Sequence, residues 1–142
     1  MKYITFTVPC YNSQDYMERC IDSLLPGGED VEIIIVNDGS TDATAQIADD
    51  YAARYPGIVR AVHKKNGGHG SGVNKGLELA TGVYFKVVDS DDWLEETAYA
   101  NLLGRIKGFW MKKQTRLIGE APDLFVCNYV YDHLDEGTSR VM

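Results

Sequence analysis

The stretch that decides the fold is VEIIIVNDGSTD, residues 31–42. Its first seven residues are almost all apolar, which is typical of a strand buried on both faces of a parallel sheet. The polar residues that follow predict that the chain turns directly at the end of this strand. Asp38 lies at that point and has two interpretations: a side chain that supports the turn, or a carboxylate that accepts the N–H of a pyrimidine base.

The segments on both sides of this strand alternate between strand and helix patterns. Short β-branched or apolar runs predict further strands at 3–9, 58–63, 83–88 and 123–131. Apolar residues at helical spacing predict helices that start near Asn12 or Ser13, near Thr41 or Asp42, and at 73–80 and 94–106. Strands that alternate with helices predict an α/β fold with a largely parallel sheet.

The composition is that of one globular domain. The chain has 142 residues, of which 44% are hydrophobic, and this suffices for one core. Its net charge of −7 argues against nucleic-acid binding, which depends on Lys and Arg at phosphates. Three widely spaced cysteines indicate free thiols in a reducing compartment. Since no signal peptide and no apolar run of ~20 residues is recognisable, we predict a cytoplasmic protein without a membrane span.

Polar motifs follow four of the predicted strands at the point where each strand ends. PCYN follows the first strand, NDGS the second, a glycine-rich loop the third and DSDD the fourth. In open α/β sheets, ligands bind outside the carboxyl ends of the strands. The sequence therefore predicts a ligand site built from these four motifs.

The DSDD motif holds three carboxylates in four positions: Asp89, Asp91 and Asp92. Such close like charges repel one another unless a cation or hydrogen-bond donors compensate them. Mg²⁺ and Mn²⁺ prefer oxygen ligands, so one or two of these residues can hold a metal while another accepts a ribose hydroxyl. The alternative is a solvated turn in which Asp91 or Asp92 caps the helix that starts near Leu94.

Two further motifs have weaker signals. The glycine-rich stretch NGGHGSG, residues 66–72, offers backbone N–H groups for a phosphate but fits neither the dinucleotide-binding nor the P-loop pattern. Its His69 is read as a loop histidine. Tyr11 can lie against a base or be an ordinary half-buried tyrosine, and Asn12 is read as a helix cap.

Four segments taken together resemble family 2 glycosyltransferases of the GT-A fold. They are TVPCYNSQDYMERCIDSLL, VEIIIVNDGSTDAT, KNGGHGSGVNKGLELATG and YFKVVDSDDWL, and the likeness runs through about residues 3–131. The resemblance implies a GT-A (Rossmann-like), mostly parallel sheet flanked by helices. It also implies that residues 1–142 are the nucleotide-sugar-binding domain, cut short before the acceptor-binding half.

The resemblance further implies ligands and residue roles. The donor is a nucleoside diphosphate sugar, usually a UDP-sugar, bound with Mn²⁺ or Mg²⁺, and the acceptor is a hydroxyl of a carbohydrate or another molecule. A homo-oligomer is a further expected partner. The site residues carried over are Pro9 and Tyr11 at uracil, Asp38 at the base, Asp91 near the ribose, Asp92 or Asp89 at the metal, and Gly68 and Lys75 beside the phosphates.

Two departures from the family pattern affect the predicted activity. Many members have A-R-N where this chain has Gly72-Val73-Asn74, so an arginine that can face the diphosphate is absent and Lys75 is the substitute. Inverting members use an acidic general base well beyond DSDD, and the acids at 132, 135 and 136 come too early to match it. We therefore expect sugar transfer with inversion, with the general base absent from this chain. The alternative is a non-catalytic nucleotide-binding or interaction module.

Overall fold

A computed structural model describes residues 1–116, 130–133 and 138–141 of the chain. Its first four strands form one parallel sheet in the order β3-β2-β1-β4. The elements are β1 (Ile4–Cys10), α1 (Met17–Leu24), a 3₁₀ segment (Leu25–Asp30), β2 (Val31–Asp38), α2 (Thr44–Arg54), β3 (Val59–Lys64), α3 (His69–Leu79), β4 (Tyr84–Val87), α4 (Glu96–Arg116), β5 (Val130–His133) and β6 (Thr138–Val141). The predicted α/β fold with a parallel sheet is confirmed.

The two central strands carry the core. All seven residues of β1 are buried, and β2 pairs with it in register from Ile4 opposite Val31 to Cys10 opposite Asn37. Successive side chains of β1 point to opposite faces of the sheet. Phe6 packs edge to face on Tyr99 of α4, with ring centroids 5.6 Å apart. Thr7, on the opposite face from Phe6, lies against Gly76 of α3. Helices therefore cover both faces of the sheet, as the continuous apolar run of β2 predicts.

Helix α3 starts earlier than the sequence predicts. The expected helix was 73–80, but α3 begins at His69, inside the glycine-rich stretch. A Cβ atom on Gly72 would lie 3.2 Å from the Cβ of Pro9, and one on Gly76 would overlap the hydroxyl of Thr7. These two glycines therefore let α3 lie directly against β1, and this packing outweighs the low helix propensity of glycine.

Helix α4 starts without help from the acidic motif. It comprises Glu96–Arg116, whereas the sequence predicts a helix over 94–106. The carboxylate of Glu95 accepts hydrogen bonds from the N–H groups of Thr97 (3.1 Å) and Ala98 (2.7 Å). The prediction that Asp91 or Asp92 caps this helix is therefore wrong, because Glu95 satisfies its first N–H groups.

The predicted cap of α1 is also wrong. This helix begins at Met17, and neither Asn12 nor Ser13 caps it with its side chain. Asn12 has a positive φ of 47° and instead accepts a hydrogen bond from the N–H of Thr41, at 2.8 Å. Asn12 thus connects the turn after β1 to the turn after β2.

The start of α2 agrees with the prediction more closely. The helix begins at Thr44, and its cap residue is Ala43. Asp42 lies one residue before the cap, and its carboxylate accepts a hydrogen bond from the N–H of Thr44 at 2.9 Å. Thr41, the other predicted cap, is the residue that donates to Asn12.

The remaining predictions concern the end of the chain and the cysteines. Most of the predicted strand 123–131 lies outside the described residues; β5 and β6 form an antiparallel pair that the sequence pattern did not predict. Cys10 and Cys20 are buried free thiols, as predicted, and Cys127 lies outside the described residues. Burial raises the pKa of Cys10 to about 12.

The described helices were also compared with the length and apolar character of a membrane span, and none of them meets both.

Candidate functional site

The ends of the parallel strands surround a cavity of about 270 Å³. Since all four strands are parallel, their carboxyl ends lie at the same edge of the sheet. Four of the predicted site residues line this cavity: Pro9, Tyr11, Asp38 and Gly68. Three residues that are not among the predicted site residues also line the cavity: Cys10, Asn66 and His69.

Asp38 holds the glycine-rich loop beside the cavity. Its Oδ1 accepts hydrogen bonds from Lys64 Nζ at 2.8 Å and from the N–H of Gly67 at 2.9 Å, and its Oδ2 accepts the N–H of Gly68 at 2.9 Å. Burial raises the pKa of Asp38, but the hydrogen bonds from Lys64 and the two glycines outweigh burial, and the net pKa is lowered. Asp38 is therefore an ionised carboxylate at neutral pH.

Asp38 also changes the expectation for Gly68. Gly68 is predicted to lie beside the phosphates, and in the structure its N–H donates to Asp38. Gly68 has φ 93°, a left-handed conformation that glycine adopts without strain, and it immediately precedes α3. Gly68 thus shapes the cavity wall, and its N–H is already paired.

Tyr11 presents its ring to solvent at the mouth of the cavity. The side chain is 53% exposed although it follows a fully buried strand. The loop that carries it is held by its neighbours: the N–H of Tyr11 donates to Ser13 Oγ at 3.2 Å, and the N–H of Ser13 donates to Thr44 Oγ1 at 2.8 Å. An exposed aromatic ring on a fixed loop provides a flat apolar surface for a ligand.

The acidic motif forms a compact cluster beside this cavity. One carboxylate oxygen from each of Asp89, Asp91 and Asp92 lies within 4.8 Å of the others. Burial and the charges of Asp91 and Asp89 together raise the pKa of Asp92. Because Glu95 caps α4, these carboxylates are not needed to start the helix. The cluster fits a divalent cation that prefers oxygen ligands.

Contacts within the cluster and directly after it fix its position. The hydroxyl groups of Ser13 and Ser90 lie 2.9 Å apart in a buried hydrogen bond. After the cluster, the guanidinium carbon of Arg19 lies 3.5 Å from the ring centroid of Trp93, and the N–H of Leu94 donates to a serine hydroxyl of α1. These contacts were not predicted, since they join residues that are distant in the sequence.

His69 connects the cavity to the acidic cluster. The ring lines the cavity, and its Nε2 lies 3.0 Å from Oδ1 of Asp89. The sequence predicts a loop histidine at position 69, but His69 is the first residue of α3. Two features of the sequence could have indicated that His69 lies at the ligand site: its glycine neighbours and its position after a predicted parallel strand.

The side chain of Lys75 pairs within its own helix. It belongs to α3, its ammonium group is 3.7 Å from the Glu78 carboxylate, and it does not line the cavity. These observations do not test the place of Lys75 beside the phosphates, which stays a prediction.

Residues 5–109 match the family described as Glycosyl transferase family 2, and the chain belongs to that family. It is 36% identical to EpsH of Bacillus subtilis (strain 168), a protein classed as a glycosyltransferase, over 135 residues that make up 94% of this chain and 36% of EpsH. The predicted family and its GT-A fold are thereby confirmed.

Two solved structures share this fold. The first is S. aureus TarS 1–349 in complex with UDP-GlcNAc, with a TM-score of 0.65, 31% identity, and coverage of 78% of this chain and 32% of that one. The second is the mannosyltransferase PcManGT of Pyrobaculum calidifontis in complex with GDP-Man and Mn²⁺, with a TM-score of 0.61, 26% identity, and coverage of 69% and 30%. The chain spans about a third of the length of these relatives.

Proposed function

We propose that this chain is the donor-binding region of a glycosyltransferase that binds a UDP-sugar together with Mn²⁺ or Mg²⁺ and transfers the sugar to an acceptor hydroxyl with inversion. The observation that carries this proposal is the proximity of the cavity lined by Tyr11 and Asp38 to the cluster of three aspartates. The likeness to TarS with bound UDP-GlcNAc supports the UDP-sugar, and the likeness to a mannosyltransferase with bound GDP-Man and Mn²⁺ supports the metal.

The uracil base is proposed to bind in the cavity. A carboxylate has about four acceptor positions, and three of those on Asp38 are filled by Lys64 and the two glycines. The remaining position, on Oδ2, can accept the N–H of uracil. Tyr11 stacks its exposed ring on the base, and Pro9 lies against its edge.

The aspartate cluster is proposed to hold the metal and the ribose. Asp92 and Asp89 bind the cation, and Asp91 accepts a ribose hydroxyl. When bound, the divalent cation neutralises the charge of the diphosphate leaving group. The half-buried position of Asp92 and its raised pKa support this role, because a cation relieves the repulsion that the neighbouring carboxylates cause.

The transfer step itself needs two further parts. The acceptor hydroxyl must be aligned with the anomeric carbon, and a carboxylate must remove its proton. In this proposal the chain supplies the donor side, where Ser90 and Trp93 keep the aspartate cluster at a fixed distance from the base cavity. The acceptor and the sugar are selected by contacts outside the base cavity and the aspartate cluster.

Calorimetric titration of the chain with UDP tests the donor site. We expect binding that depends on Mn²⁺, and we expect Asp92→Asn to lose the metal-dependent part of the affinity. Asp50→Asn, an exposed acid on α2, is the matched control and is expected to bind like the unaltered chain. UDP affinity that is the same with and without Mn²⁺ would contradict the proposed metal site.

A transfer assay separates the enzyme from its alternative. The unaltered chain is incubated with UDP-sugars, Mn²⁺ and a panel of hydroxyl acceptors, and release of UDP that depends on the acceptor is measured. Such release, lost in Asp92→Asn, would exclude the non-catalytic alternative. Nucleotide binding without transfer would instead favour the non-catalytic nucleotide-binding module.

A further inference from the structure

We propose that His69 binds the diphosphate of the nucleotide sugar, as the ligand-binding side chain between the base cavity and the metal site. The inference rests on the proposed function and adds to it a residue that the family pattern does not assign. His69 lines the cavity with Tyr11 and Asp38, while its Nε2 lies 3.0 Å from Asp89. In a nucleoside diphosphate sugar the ribose joins the base to the diphosphate, so a side chain that reaches from the base cavity to the metal site can contact the diphosphate.

The hydrogen bond of His69 identifies the atom that can donate to a phosphate. An ionised carboxylate only accepts hydrogen bonds, so the contact with Asp89 requires that Nε2 carries the hydrogen. The two side chains are 63% and 54% exposed, and a contact between such exposed groups is weak. A phosphate oxygen can therefore replace Asp89 at little cost when Asp89 turns to the metal.

Three other donors beside the cavity are already paired. Lys64 Nζ donates to Asp38 and to the carbonyl of Lys65, and the N–H groups of Gly67 and Gly68 also donate to Asp38. His69 differs from them, because its acceptor is one of the carboxylates proposed to bind the metal. Its place as the first residue of the eleven-residue α3 adds the favourable field of a helix N-terminus for an anion.

The test compares the affinities of the complete chain for UDP and for uridine, both in the presence of Mn²⁺. We expect His69→Ala to lower the affinity for UDP about tenfold, the effect of one charge-assisted hydrogen bond, and to change that for uridine less than about twofold. His69→Arg is expected to retain the affinity for UDP, because guanidinium also donates to phosphate. Glu78→Gln, exposed towards the other end of α3, is the matched control.

Three results would overturn the inference. The first is unchanged UDP affinity in His69→Ala, and the second is an equal loss for UDP and uridine, which would indicate a structural effect on the cavity. The third is a loss of Mn²⁺ binding in the absence of nucleotide, which would make His69 a metal ligand. Failure of the unaltered chain to bind UDP is a separate outcome, because it removes the proposed function itself.

Discussion

The hydroxyl groups of Ser13 and Ser90 form a buried hydrogen bond of 2.9 Å that joins the loop after β1 to the turn after β4. The two residues are 77 positions apart in the chain. One follows Tyr11 at the cavity and the other lies inside the aspartate cluster, so this contact directly connects the two halves of the candidate site.

Removal of this contact is expected to affect both stability and binding. Ser90→Ala should lower the free energy of unfolding by about 1 kcal/mol, the usual net contribution of a hydrogen bond, since Ser13 Oγ keeps its contacts with Tyr11. It should also weaken UDP binding, because the cluster is less firmly placed relative to the cavity. Urea denaturation and calorimetry measure the two effects. An additive double mutant with Ser13→Ala would contradict a direct interaction between the two hydroxyls.

The close approach of α3 to β1 gives a second prediction. Gly76→Ala should destabilise the fold by about 1–3 kcal/mol, the range for an overpacked core, because the new methyl group overlaps Thr7. Gly104→Ala is the matched control: it lies in α4 with open space around its Cβ position, and it should stabilise the helix by about 0.5–1 kcal/mol. Urea denaturation of both variants measures the difference. Equal effects of the two substitutions would show that α3 does not rest on β1 as described.

The lowered pKa of Asp38 predicts a specific dependence of stability on pH. The folded state binds a proton at Asp38 less readily than the unfolded chain, whose carboxyl has the ordinary pKa of 3.8. The stabilisation by ionised Asp38 is therefore complete well above pH 3.8 and is lost as the pH falls from that value through the lower folded pKa. Asp38→Asn removes this contribution.

Denaturant unfolding at a series of pH values measures this effect. The difference in stability between the unaltered chain and Asp38→Asn should be largest near neutral pH and should shrink as the pH falls below 3.8. Asp15→Asn, an exposed acid before α1, serves as the control. A difference that stays constant over the whole pH range would show that ionised Asp38 does not hold the loop.

The exposed ring of Tyr11 predicts the energetics of base binding. Tyr11→Ala should weaken UDP binding by about 1–3 kcal/mol, the usual range for stacking of a base on an aromatic ring, whereas Tyr11→Phe should change it little. Tyr16 is also exposed, at 43%, and Tyr16→Ala is the matched control. If the Tyr11 and Tyr16 variants bind UDP equally, the base lies elsewhere.

The parts of the site that local sequence predicts are the ends of the strands. The apolar run 31–37 and its polar continuation identify Asp38, because the burial of a strand and its end are local properties. The same reasoning places Tyr11 and the aspartate cluster at one edge of the sheet. The cavity lining of Tyr11 and Asp38 agrees with that prediction.

The parts that could not be predicted depend on which elements become neighbours. The contact of Ser13 with Ser90 exists because β4 pairs with β1, and no local pattern encodes this order of strands. The start of α3 was placed too late, because glycine disfavours helices locally whereas Gly76 is needed for contact with Thr7. Glu95 was missed as the helix cap because three other acids stand close before it.

The three hydrogen bonds of Asp38 have a kinetic consequence for ligand entry. They fix residues 67 and 68 in the unliganded protein, so the wall of the cavity has its shape before any nucleotide arrives. The entropy of ordering that wall is then lost during folding and not on association. Encounter with the nucleotide should accordingly be a single fast step without a slow rearrangement, which stopped-flow fluorescence would record as one exponential phase.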